Sequence, residues 1–365
     1  TSRGSIVNRC KSLSTTFWAG VCLLLSACSI GSKSFNKTQA TQHQNISAIV
    51  EKAVETVNFN GTVLVANSQS VLFEESWGFV NGEQGPLLTP DYAFSPGSIT
   101  KEFSTLALMQ LQETGNISFD SKLSGYLPEL PGWAREVSIE HLLTHTSGIP
   151  DVRYRENMTT EQALENIKQI KALEFAPGTA YLYGNNNTIL RALVIEKVTG
   201  MSFEQYLRKA LFKPSRMNST FAKSDFHHVN QKIAIGAIPL ALKGVTAYST
   251  AKDLYLWERA IWSDKLVSKA ALNKAIVTPG FAGKSRAYYD FGFYKTNQQG
   301  ELSYIEHDGT YPRHYALKAH DIENDFYIVL LSNDGRKATL NELKTTILTL
   351  LTKDEISFPD VWKFI

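Results

Sequence analysis

The order of strand-like and helix-like stretches predicts an α+β fold: an antiparallel sheet flanked by an N-terminal and a C-terminal helix, with a mainly helical lobe inserted between its strands. Three observations carry this expectation. Runs rich in β-branched and aromatic residues gather near the two ends of the body, around 61–77 and 289–331, while the stretch between them has helical period. The connections within each end group are short, which suits antiparallel neighbours and not parallel ones. Apolar residues at helical spacing precede the first strands and follow the last, so a helix stands at each end to cover the sheet.

Taken in order, Ile46, Ile49, Val50, Ala53, Val54 and Val57 form one apolar face and predict the first helix. Residues 61–66 and 71–77 then form two strands about the polar turn 67–70. Helices are expected over 103–113, 139–144, 161–173, 187–199, 203–211 and 251–261, punctuated by Pro, Gly and Asn. Strands return at 289–294, 303–306, 315–319 and 326–331, and a last helix over about 340–351 closes the body. The expected domain is 46–365, with 46–97 and 287–352 as the sheet lobe and 98–286 as the helical lobe.

The N-terminal segment has a different character. Arg3, Arg9 and Lys11 precede an apolar 11-residue run, 17–27, too short to span a bilayer and suited to a signal-peptide core. Leu25-Ser26-Ala27-Cys28 resembles a bacterial lipobox, which implies cleavage after residue 27 and a lipid anchor on Cys28; the alternative is an ordinary secretory cleavage site. Ser29, where some lipoproteins carry Asp, points to the periplasmic face of the outer membrane in a cell that has one. Residues 28–45 are polar and read as a flexible tether. All three cysteines lie before the body, so no disulfide or thiolate metal site is expected there. A net charge of +2 and the lack of a basic run in the body give no reason to expect a nucleic-acid partner.

The chemistry lies in three short patterns. Ser98 and Lys101 are one helical turn apart, so an amine can stand beside a hydroxyl that needs a base to become nucleophilic. The same S-x-x-K spacing occurs at Ser34/Lys37 and Ser249/Lys252. The first lies in the polar tether, and the second opens a helix on which Thr250 and Asp253 read as a capping pair. Ser98 differs because a tight turn, Pro96-Gly97, leads into it and an apolar helix follows, placing it at a helix N-terminus that favours developing negative charge. Downstream, in order, come the single Y-x-N, Tyr183-Gly184-Asn185, and His307-Asp308-Gly309. Alone, Tyr183 reads as a half-buried aromatic and His307 as a strand-end residue; together with Ser98 they read as an acyl-enzyme site.

With 94–101 (FSPGSITK), 141–150 (HLLTHTSGIP), 177–179 (PGT), 198–203 (VTGMSF) and 326–333 (FYIVLLSN), these motifs resemble the serine β-lactamase and penicillin-recognising superfamily. The likeness is to its class C-like branch of D-peptidases, esterases and β-lactamases, and it runs from about Gly61 to Gly335. The resemblance implies a serine hydrolase, lipid-anchored if the lipobox-like stretch is read so, with its site between the sheet and the helical lobe, acting on D-amino-acid peptides, short acyl esters or β-lactams. It implies no cofactor and no metal. Ser98 would be the nucleophile, Lys101 and Tyr183 its proton partners, and Asn185 a substrate-orienting amide. The backbone N–H groups of Ser98 and Thr310 would form the oxyanion hole, with Gly309 allowing close approach.

His307 stands where β-lactamases of this family usually carry Lys; a mostly neutral imidazole lowers the expectation of strong lactam turnover and raises that of esterase or D-peptidase activity. Arg313 is a candidate carboxylate anchor. His141 and His145 have zinc-compatible spacing but no third ligand at suitable spacing, so structural roles are expected for both. The competing reading is a catalytically idle cell-wall peptide binder or scaffold that kept the fold.

Overall fold

The computed structural model describes residues 40–151, 158–222, 232–235, 242–283, 285–333 and 337–353. Cys28, the signal-peptide core and most of the tether lie outside the described residues. The chain divides after Ala48, and the unit from Ile49 onward carries the sheet and the site.

Helix α1 covers residues 40–57 and buries Ile49, Val50 and Ala53 within the stretch expected from the apolar spacing. Strands β1 (Gly61–Ala66) and β2 (Val71–Trp77) form the first hairpin. The C-terminal part supplies β5 (Phe293–Thr296), β6 (Leu302–Tyr311), β7 (His314–Asp321) and β8 (Phe326–Ser332). Together they make one six-stranded sheet in the order β2-β1-β8-β7-β6-β5, antiparallel throughout. β1 pairs with β8, so the two distant parts of the chain meet in mid-sheet. Every residue of β1 is buried, consistent with its unbroken apolar run and with cover on both faces.

Between the hairpins lie α2 (Lys101–Glu113), α3 (Ile139–Leu143), α4 (Thr160–Lys168), α5 (Asn185–Thr199), α6 (Phe203–Leu207), a two-stranded ribbon of β3 (Phe221–Ala222) and β4 (Ala247–Tyr248), α7 (Ala251–Ile261) and α8 (Lys269–Val277). Helix α9 (Lys337–Thr352) closes the fold against β7 and β8. Ser138, Thr159 and Ser202 each close a capping box at the start of α3, α4 and α6. Thr250 accepts from the Asp253 backbone N–H, as the capping reading of the second S-x-x-K requires, while Ser249 is buried against Thr220. Helix α2 is buried nearly all round, with Phe103 edge-on to Phe212 and Trp257.

Several boundaries differ from expectation, among them the end of β6, which runs past Glu306 to Tyr311 and so sets His307 within the strand. Ser98 lies in a 3-10 turn, Gly97–Thr100, which runs into α2, because Pro96 and a left-handed Gly97 (φ 55°) tighten the entry. The expected strand 289–294 starts later, at Phe293: Gly292 is left-handed (φ 84°) and Asp290 turns into a buried ion pair instead of a ladder. Helix α4 ends at Lys168, and α6 passes after Leu207 into a π turn, Arg208–Phe212. Helix α8 was not expected, since it has few large apolar residues. Ser268 caps it, and the same hydroxyl donates to Glu113 at the end of α2 (2.6 Å). Helix α7 falls within the stretch assigned to the helical lobe, yet it packs on β1, β7 and β8.

Candidate active site

The site begins with the fit between the Ser98 turn and strand β6. A Cβ on Gly309 would stand 1.9 Å from the Pro96 carbonyl oxygen and 2.8 Å from the Ser98 nitrogen; a Cβ on Gly97 would stand 2.5 Å from the Thr310 nitrogen. Two glycines therefore let backbone meet backbone, and the amides of Ser98 and Thr310 border the same turn. The His314 imidazole, next to the β6–β7 turn, accepts the Ser95 N–H through Nδ1 (3.0 Å) and fixes the other end of the segment.

Burial pushes His314 down to about 4, so it is neutral in the folded protein. The unfolded chain takes up a proton below about 6.5 and the folded one does not. Stability is therefore expected to fall as pH drops from about 6.5 toward 4, by roughly 3 kcal/mol from this group. Urea unfolding of wild type and His314→Gln at pH 7, 5 and 4 checks this: the substitution should flatten the slope, and an unchanged slope would contradict it.

Beside the turn, Ser98 Oγ lies 2.8 Å from the Tyr183 hydroxyl and 3.4 Å from Lys101 Nζ. The same nitrogen sits over the Tyr183 ring, 5.1 Å from its centroid. Lys101 is buried while Tyr183 is 37% exposed, so the phenol faces an open cleft and the amine lies behind it. Asn185 opens α5 and is half-buried; among the described residues its side chain makes no hydrogen bond. Its neighbours turn inward: Asn186 donates to the Pro150 carbonyl (2.6 Å), and Asn187 accepts from Ser147 (2.6 Å).

His145 holds the Tyr183 loop from behind. Its carbonyl accepts the Leu182 N–H (2.8 Å), its Nδ1 accepts from Gly184 N–H (3.3 Å) and Asn187 Nδ2 (3.0 Å), and its ring lies 4.6 Å from that of Tyr183. With Nδ1 receiving two donors, the proton is on Nε2, which donates to Asp290 (2.9 Å). Asp290 also takes Arg191 at 2.6 Å. The fully buried guanidinium further donates to the Leu142 carbonyl at the end of α3 (2.7 Å) and to Thr105 on α2 (3.1 Å). Burial would raise the Asp290 carboxyl, but His145 and Arg191 reverse this and hold it well below the usual carboxylate range. Burial lowers His145, so its imidazole is neutral. His145 thus has the structural role its sequence context suggested. Asp290 and Arg191 belong to none of the three motifs; the signal that marks them in the sequence is a lone charge in an apolar run.

His307 lies two residues before Gly309 on the same face of β6. Two strand residues advance about 6.6 Å. From Ser98 to Glu102 the helix advances about 6 Å. His307 therefore meets Glu102, and its Nδ1 stands 2.6 Å from the Glu102 carboxylate. Glu102 also accepts from Trp257 (2.7 Å) and pairs with Lys318 (3.1 Å), and Lys318 contacts Glu258. Burial would lower Lys318, but the two carboxylates raise it, so a fixed cation stands between them. The third motif is thereby anchored to the helix of the first.

Thr310 is exposed at the end of β6. Arg313 lies in the β6–β7 turn, half-exposed, 3.3 Å from Glu83, and its guanidinium is directed to that carboxylate. His141 completes the α3 capping box, accepting the Ser138 N–H at Nδ1 (3.2 Å).

The arrangement can carry a proton away from a serine hydroxyl, beside a turn that the amides of Ser98 and Thr310 both border. Residues 46–351 match the Beta-lactamase family model, so the chain belongs to that family. It is 25% identical over 326 residues to Penicillin-binding protein 4* of Bacillus subtilis, covering 80% of this chain and 72% of that protein. The structure superposes with a TM-score of 0.72 on a penicillin binding protein from Bacillus halodurans, at 25% identity over 82% of this chain and 98% of that one. A class C beta-lactamase gives 0.71 at 19% identity, covering 87% of this chain and 98% of that one, a likeness of fold.

Proposed function

For a member of this family, we propose that the chain is a hydrolase that forms an acyl-enzyme at Ser98 and acts on amide or ester bonds. The observation that carries this reading is the position of Ser98 Oγ, 2.8 Å from the Tyr183 hydroxyl and 3.4 Å from Lys101 Nζ. Ser98 Oγ adds to the substrate carbonyl carbon as its proton passes to Tyr183, the nearer partner, which accepts it as the phenolate and so becomes the neutral phenol. The oxyanion is met by the Ser98 and Thr310 N–H groups, donors worth about 3–4 kcal/mol each in such a site. The carbon–nitrogen or carbon–oxygen bond then breaks, the proton goes to the leaving amine or alcohol, and water takes the acyl group from Ser98 by the same route. The Lys101 nitrogen and the Arg286 guanidinium both lie against the Tyr183 ring, 5.1 and 5.6 Å from its centroid.

The favoured substrates are D-amino-acid peptides and short acyl esters, ahead of β-lactams, because an imidazole tied to Glu102 stands where a free ammonium would anchor a lactam carboxylate. A panel of D-Ala-D-Ala peptides, short-chain p-nitrophenyl esters and nitrocefin tests the order. Turnover of the first two above nitrocefin is expected, and fast nitrocefin cleavage with no peptide or ester turnover would reverse it. The lipobox-like stretch ending at Cys28 supports a lipid anchor at the cell envelope. Cys28→Ala should then move the protein out of the membrane fraction or leave it unprocessed, and unchanged mass and fractionation would contradict the anchor.

A further inference from the structure

Resting on that hydrolase reading, we propose that Lys318 is a positioning residue of the reaction, acting on the third motif through a shared carboxylate. By meeting the charge of Glu102 it spares His307 the proton that would otherwise balance that charge. The ring is left as an Nδ1–H donor to Glu102, with Nε2 free. Lys318 stands directly across from His307 in the β6–β7 register, so the two side chains share a face of the sheet. Its Nζ lies 3.1 Å from Glu102 Oε1, the same oxygen that His307 Nδ1 meets at 2.6 Å.

The orientation of the ring follows from the partners of Glu102. This carboxylate is fully buried, and its other oxygen accepts from Trp257 Nε1–H at 2.7 Å. An acid that receives both an ammonium and an indole is ionised, so the ring nitrogen against it carries the proton and donates. Nε2 makes no hydrogen bond among the described residues and is the edge of the ring left for substrate or water. It belongs to the strand that Gly309, two residues on, sets against the Ser98 turn.

The charge on Lys318 is secure: burial would lower it, but Glu102 and Glu258 raise it. Glu258, on α7, contacts the same ammonium, and its other oxygen takes Trp262 Nε1–H at 2.7 Å and faces His320 Nδ1 at 3.7 Å. Burial would raise Glu258, but Lys318 and then His320 hold it well below the usual carboxylate range. The remaining charges around His307 are engaged elsewhere. Lys101 is turned to Ser98, Asp308 to Lys337 and Glu306 to Lys344 on α9, and Asp290, before β5, to Arg191. Without Lys318, Glu102 would keep only an indole and an imidazole, and of these only His307 can take up a proton. Two positive nitrogens on one carboxylate oxygen lie within about 6 Å of each other, where unit charges move a protonation midpoint by about two pH units at an effective ε of about 20.

The test follows the His307 Cε1–H resonance, assigned by its loss in His307→Gln, through a pH titration of wild type and Lys318→Met, alongside kcat/KM for a short-chain p-nitrophenyl ester. In Lys318→Met the midpoint should rise by about one to two pH units, and the acid limb of kcat/KM should rise with it, with most of the activity kept above that limb. Lys318→Arg should return both toward wild type. Where Lys318→Met is too unstable to measure, Lys318→Met/Glu258→Gln removes one charge of each sign and carries the same expectation, since Glu102 again keeps only His307. An unmoved midpoint, a midpoint that moves without the acid limb, or an equal loss of kcat/KM at every pH, as a merely structural lysine would give, overturns the positioning role and leaves the hydrolase reading in place. If wild type turns over no ester or peptide and Ser98 takes no fluorophosphonate, the hydrolase reading itself fails and the positioning role with it.

Discussion

Replacing Ser98 by Ala is expected to abolish turnover of every substrate the wild type cleaves, a loss of at least about 10⁴-fold in kcat, as for a removed nucleophile. The fold should be untouched. Ser98 stands in a 3-10 turn fixed by the Gly97–Gly309 backbone contact and by the Ser95–His314 bond, neither of which uses the Ser98 hydroxyl. Tyr183→Phe in the same experiment separates nucleophile from proton acceptor. It leaves the Ser98 hydroxyl and Lys101 in place, removes the partner at 2.8 Å, and should cost about 10²–10⁴-fold. If Ser98→Ala retains turnover above background, the nucleophile has been misassigned. If Tyr183→Phe is fully active, the proton goes elsewhere, and Lys101 at 3.4 Å, acting as a free amine, is the next acceptor.

The second large effect is on stability. Asp290→Ala leaves Arg191 fully buried without its counter-ion and removes the acceptor of His145 Nε2–H. Breaking a buried pair from one side costs about 3–5 kcal/mol, because the remaining charge has lost its compensation. The damage should reach the site, since His145 holds the backbone on both sides of Tyr183 through Leu182 and Gly184. Urea unfolding should show a correspondingly lower midpoint, and residual activity at low temperature should fall with it. The double variant Arg191→Met/Asp290→Ala should recover part of the lost stability, since an apolar replacement of both partners leaves no orphaned charge. A single Asp290→Ala within about 0.5 kcal/mol of wild type would mean that the pair carries no such weight.

The parts of this molecule that were legible in the sequence are the local ones. The strand hairpins at the two ends announce themselves by alternation and short turns, whereas the choice of β1 and β8 as the strands that join them appears only in the structure. Ser98, Lys101 and Tyr183 were found because spacing on a helix and order along the chain are one-dimensional properties, and the structure brings these three into contact. What the sequence does not display is which distant charge neutralises which. Glu102 gains its partners only when strand register sets His307 and Lys318 against it. Arg191 stands alone in an apolar helix run, which marks it as unusual but not as the residue that joins α5 to α2, α3 and Asp290. Arg313 drew attention by lying near the third motif, but its turn carries it to Glu83, while Arg286, outside every motif, comes to rest on Tyr183. The start of β5 shifted for the same reason: an apolar-looking run hides Asp290, whose carboxylate is satisfied only by leaving the ladder.

The central claim is that the Ser98 oxygen is the atom that becomes acylated. Intact-mass measurement of wild-type protein after incubation with a fluorophosphonate or a fluorescent penicillin, followed by peptide mapping, tests it directly. A single adduct on the peptide containing Ser98, absent from Ser98→Ala, is the expected result; an unmodified wild type, or an adduct mapping to another residue, would contradict it.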